Sequence, residues 1–106
     1  MEDRLEELRR NYVGAKVDYL RTHNSLNIVK AIKNVKRYQE SMNQLAAYMI
    51  NNHFIKSILE LSNFLNNIEA YTYTKYGLYL TWNEKRAGKY YNSLLKEGYV
   101  SKNIIK

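Results

Sequence analysis

Apolar positions recur at three- and four-residue steps over most of this chain, the mark of helices with one buried face. Leu5, Leu8, Tyr12, Ala15 and Tyr19 form one stripe and predict a first helix from about Glu2 to Leu20. Glu2, Asp3, Glu6 and Glu7 fall in its first turns, where carboxylates offset the positive helix end. Thr22-His23-Asn24-Ser25 reads as a break made of cap-forming side chains. A second helix is expected from about Leu26 to Ile50, with Ile28, Ile32, Val35, Gln39, Met42, Ala46 and Met49 as a near-heptad seam. Lys30, Lys33 and Arg37 then lie on the opposite side of the cylinder. Asn51-Asn52-His53 ends this helix.

A third helix follows, with Phe54, Ile58, Leu61, Leu65 and Ile68 on one stripe and Ile55, Leu59 and Phe64 broadening it. So wide an apolar face predicts the centre of the core. Residues 70–82 are ambiguous. Tyr71-Thr72-Tyr73-Thr74 alternates as a strand would and Gly77 suits a hairpin turn, yet the same letters continue the third helix. Helix is the preferred reading, because an isolated two-stranded hairpin is marginal. The last helix is signalled by Thr81 and Glu84 at capping-box spacing and is stopped by Gly98. Ala87, Tyr91, Leu94 and Leu95 are its apolar side, and Lys85, Lys89, Asn92 and Lys96 its polar side.

The fold class expected is therefore all-α: one domain, residues 1–106, built as a bundle of about four helices, with a short hairpin at 70–82 as the alternative to helix there. Composition agrees, with no proline and only four glycines. Thirteen asparagines take over as loop punctuation. There are no cysteines, so disulfides and thiolate metal sites are excluded. No apolar run approaches the ~20 residues that span a bilayer. The acidic start, Met1-Glu2-Asp3-Arg4, is wrong for a signal peptide, and a cytoplasmic protein is expected.

Charge narrows the function classes. Residues 1–24 hold five basic and five acidic side chains, whereas residues 25–53 hold four and one, and residues 78–106 hold six and two. The whole surplus of +7 thus sits in two segments. Such a field favours polyanions, chiefly nucleic acid, with anionic membrane surface second. Candidate nucleic-acid-binding residues are Lys85, Arg86, Lys89, Asn92, Ser93 and Lys96 in the last helix, and Lys30, Lys33 and Arg37 in the second. Lysine meets phosphate as a point charge, and asparagine pairs bidentately with adenine.

The segment Ala87-Gly88-Lys89-Tyr90-Tyr91-Asn92-Ser93-Leu94-Leu95-Lys96-Glu97-Gly98-Tyr99-Val100 resembles the recognition helix and exit turn of winged helix-turn-helix proteins. The resemblance covers about the last quarter of the chain. It implies that Lys85, Lys89, Asn92, Ser93 and Lys96 face DNA, as in a transcriptional regulator. The chain departs from the family pattern in two places. Six residues follow Val100, too few for a two-stranded wing, and no crisp short helix and turn stands between Phe64 and Thr81.

Enzymatic function is not expected. His23 and His53 stand thirty residues apart at helix breaks, outside any metal-ligand spacing, and there is no phosphate-binding glycine loop or nucleophile elbow. No cofactor or metal is implied. The expected partners are nucleic acid or an acidic protein, with no membrane partner, and the helical seams are long enough for a homodimer. The alternative class is a protein-directed inhibitor or immunity factor of the kind phages, viruses and plasmids encode. It would act by protein–protein contact through exposed tyrosines or Trp82, since eleven tyrosines are an unusual load.

Overall fold

The computed structural model describes residues 2–22, 26–76 and 82–101, with side chains omitted at Glu2 and at 69–76. The fold is all-α, with four helices among the described residues: α1 (Glu2–Thr22), α2 (Ile28–Asn51), α3 (Ile58–Tyr76) and α4 (Glu84–Lys96). They group into two compact units, Met1–Tyr48 and Met49–Lys106. No strand occurs among the described residues, and 70–76 continue α3 as helix. Residues 77–81, which include Gly77, Tyr79 and Thr81, lie outside the described residues, as do the side chains of Tyr71, Tyr73 and Tyr76.

In the first unit α1 and α2 run antiparallel. Leu8, Tyr12 and Ala15 are buried as the periodicity predicts. The partner line on α2 is not the first half of the predicted seam. It is Asn34, Tyr38, Ser41 and Leu45, rotated by about 130° from the line through Ile28, Ile32 and Gln39, which are exposed; further along the seam Ala46 is buried and Val35, Met42 and Met49 are half-buried. Aromatic stacking and hydrogen bonding explain the rotation. The Tyr38 ring lies 4.9 Å from that of Tyr19, stacked, and 5.7 Å from that of Tyr12. Asn34 donates from Nδ2 to the Thr22 hydroxyl (3.0 Å) and the Asp18 carbonyl (3.4 Å), and Ser41 donates to the Tyr38 carbonyl (2.8 Å). Polar groups that find partners cost little to bury, so this line outcompetes a purely aliphatic one.

The same bonds extend α1 two residues past the predicted end. Thr22 stays helical, its hydroxyl donating to the Asp18 carbonyl at 2.9 Å. Residues 23–25 lie outside the described residues. The cap of α2 is Asn27, whose Oδ1 accepts from the Lys30 amide at 3.1 Å. Arg4–Glu7 and Arg10–Glu6 pair along α1 at helical spacing. Both pairs are exposed, so each is worth well under about 1 kcal/mol.

In the second unit Leu61 and Leu65 are fully buried on α3, facing α4, as expected of the core. The start differs from the predicted stripe. Phe54 and Leu59 are about half exposed, while Ile55 is buried in the connection. Helix begins only at Ile58, because Ser57 accepts the Glu60 amide on its hydroxyl (3.1 Å) and Glu60 accepts the Lys56 amide on its carboxylate (2.8 Å). This is close to the capping box expected at Thr81 and Glu84, with the Glu60 carboxylate on the amide before the cap rather than on the cap's own.

Two helices end in the same way. At α2 the His53 amide donates to the Ile50 carbonyl and the Phe54 amide to that of Met49; at α4 the Gly98 amide donates to Leu95 and the Tyr99 amide to Leu94. Both are Schellman turns, which need a left-handed residue at the crossing point. Gly98 supplies it at φ 82°, and His53 supplies it at φ 65° despite its Cβ. Two substitutions test this. His53→Gly should raise unfolding stability by roughly 0.5–1 kcal/mol, and Gly98→Ala should lower it by about 1–2 kcal/mol. Urea unfolding followed by helical ellipticity reads both.

Candidate nucleic-acid interface

The last helix is built as a rigid presenting element. Asn83 caps it, accepting the Arg86 amide on Oδ1 at 2.9 Å, with Glu84 in the first turn to meet the positive helix end. The cap predicted at Thr81 is thus replaced by Asn83, which is as good a capping residue and sits directly before the first helical position. Ala87, Tyr91 and Leu94 are buried, Tyr91 completely. Helical spacing of these three forces the remaining side chains outward.

Each end of α4 is tied down by one asparagine. Before the helix, Asn66 of α3 donates from Nδ2 to the Trp82 carbonyl and accepts the Trp82 amide on Oδ1, both at 2.9 Å. The side-chain amide thereby pairs with a peptide as a neighbouring strand would. Beyond the helix, Asn51 donates to the Tyr99 carbonyl at 3.0 Å and accepts the Ser101 amide at 3.4 Å. Val100 is buried between these contacts. Neither bracket is visible as a sequence motif, since the bonded residues are 16 and about 50 positions apart.

On the outward side Lys85, Lys89, Asn92 and Lys96 are all exposed and lie within about 60° of one another around the axis. From Lys85 to Lys96 the stripe extends about 16 Å. Among the described residues no carboxylate pairs with these three lysines; the ion pairs present are Arg4–Glu7, Arg10–Glu6 and Arg37–Asp18. Glu84 and Glu97 fall at the two ends of α4. Ser93 is exposed at the edge of the stripe. Arg86 is placed differently. Its guanidinium lies over the Trp82 ring, 4.3 Å from the centroid, and Tyr90 meets the same ring edge-on at 5.3 Å. Arg86 is half-buried and flanks the stripe rather than forming it. Trp82 itself is buried, so it does not offer the exposed anchor that a protein-directed reading requires of it.

The second predicted patch is also brought together. Lys30, Lys33 and Arg37 are exposed and fall within about 60° of one another on α2. Arg37, however, is held by Asp18 of α1. It lines a polar depression with Asn11, Glu40, Ser41 and Gln44. Two lysines without a carboxylate partner among the described residues and a neutralised arginine make this the weaker of the two fields. Comparison of the chain with family models, with curated proteins and with solved structures gives no match.

The brackets have a measurable consequence. Asn66→Ala removes two hydrogen bonds and leaves the Trp82 peptide unpaired, and should cost about 1–2 kcal/mol of stability. Amide hydrogen exchange in the first turn of α4 should accelerate in that variant, with α1 unaffected.

Proposed function

We propose that this chain is a non-enzymatic nucleic-acid-binding protein that uses the outer face of α4 as its contact surface, as a small transcriptional regulator would. The observation that carries the reading is the lysine stripe itself: three cations and an amide aligned on one exposed helix face, with no carboxylate against them among the described residues. The likeness of Ala87–Val100 to a recognition helix and exit turn supports it. So does the +7 charge, whose larger share lies in the segment that contains α4. In this arrangement Lys85, Lys89 and Lys96 neutralise phosphates and fix register, while Asn92 meets a base edge. Ser93 and Arg86 lie on one flank and reach the backbone of the same groove. Lys30 and Lys33 add to the general field.

Fluorescence anisotropy with labelled duplex and single-stranded DNA tests the proposal. Three phosphate contacts predict a log–log salt slope near −2.7 on duplex, which is an affinity loss of about 40-fold between 50 and 200 mM salt. Lys89→Gln should reduce the slope by about one contact. Replacing Lys85, Lys89 and Lys96 together by Glu should abolish binding while helical ellipticity and urea midpoint stay close to the parent's. Absence of binding at the lower salt by the folded parent protein would refute the reading.

A further inference from the structure

Rotation of the α1–α2 contact leaves the start of α2 with an aliphatic surface that folding does not use. Leu26 is 100% exposed, Val29 79%, Ile28 68% and Ile32 51%. By helical geometry Ile28, Ile32 and Val29 occupy one arc of about 100°, with Lys36 inside it and Lys33 at its edge. Both lysines are exposed. Lys33 and Lys36 lie four and seven positions beyond Val29, about 6 and 10 Å along the axis.

We infer that this end of α2 is an interfacial contact for anionic phospholipid, with Leu26, Ile28, Val29 and Ile32 entering the headgroup–acyl boundary and Lys33 and Lys36 meeting the headgroup phosphates. Two considerations select this occupant. Four aliphatic side chains amount to roughly 250–500 Å², well short of the ~800 Å² per partner that a stable protein interface buries. A second copy of the same face would oppose like charges, because residues 26–40 hold four basic side chains and a single acid, Glu40. No described helix is long and apolar enough to cross a bilayer, so the contact is with the surface. The inference does not depend on the nucleic-acid reading, which rests on α4, although Lys33 also adds to the general field of that reading.

Co-sedimentation with vesicles of phosphatidylcholine and phosphatidylglycerol, mixed at roughly two to one, tests it against phosphatidylcholine alone. The parent protein should pellet with the mixed vesicles, weakly or not at all with the neutral ones, and less as salt rises from about 50 to 200 mM. Val29→Ser with Ile32→Ser should lower partitioning by roughly tenfold or more. Both side chains are exposed, so helical ellipticity should be unchanged, and oligonucleotide affinity should be unchanged as well. Lys33→Gln with Lys36→Gln should remove the preference for the anionic vesicles. Equal pelleting of the Val29/Ile32 variant would overturn the inference, as would no pelleting of the parent. Self-association of the parent in sedimentation velocity, lost in the same variant and without vesicle binding, would assign the face to a second copy instead.

Discussion

The second unit depends on the way a side-chain amide can stand in for a peptide. Asn66 offers a donor and an acceptor in one plane, and both are taken up by Trp82 at 2.9 Å. A helix of thirteen residues such as α4 is marginal on its own. Burial of Ala87, Tyr91 and Leu94 supplies the attraction to α3, but apolar contact is non-directional and tolerates rotation and sliding. The amide bonds are directional. With Asn66 fixing the entry and Asn51 the exit, α4 has one azimuth, and its outward lysines have one direction. Removing either bracket would leave the apolar contact in place and the azimuth undetermined.

The first unit uses the same chemistry with a different result. Asn34 ties α2 to the end of α1 through Thr22 and Asp18, and Tyr38 stacks on Tyr19. Here the polar contacts decide which of two competing faces is buried. The aliphatic line of α2 carries more transferable surface, yet the line with Asn34 and Ser41 is the one turned inward. Specific geometry therefore overrides the larger hydrophobic term at the start of α2, and that is why Ile28 and Ile32 remain in water.

Periodicity made the four helices legible, along with the stop at Gly98, the break after Asn51 and the buried residues of α1 and α4. It failed where asparagine was involved. A sequence shows asparagine as a turn-former, and Asn27 and Asn83 act near that role as caps. Asn34, Asn51 and Asn66 instead work inside helices, as cross-links to residues distant in the chain. No local pattern encodes that. The first half of the α2 seam differs for the same reason: hydropathy scores Asn34 and Ser41 as outward, and only their partners reverse the sign, whereas Ala46 further along the seam is buried as expected. The lysine stripe of α4 was legible in full, because exposed cations at helical spacing need no tertiary information. The wider apolar face assigned to the third helix was legible in part, since Leu59 falls outside the buried arc and Phe54 lies before the helix begins.

In α4 the residues that make the fold and those that face outward are separate sets. Ala87, Tyr91, Leu94, Asn83 and Gly98 hold the helix, and Lys85, Lys89, Asn92 and Lys96 contact no partner among the described residues. Substitution at the outward positions is therefore close to neutral for folding, and whatever this surface recognises can be rewritten one residue at a time. Descendants of such a chain can diverge in ligand preference while keeping the same scaffold. The positions under purifying selection across them should be Asn51, Asn66 and Asn83 rather than the cations.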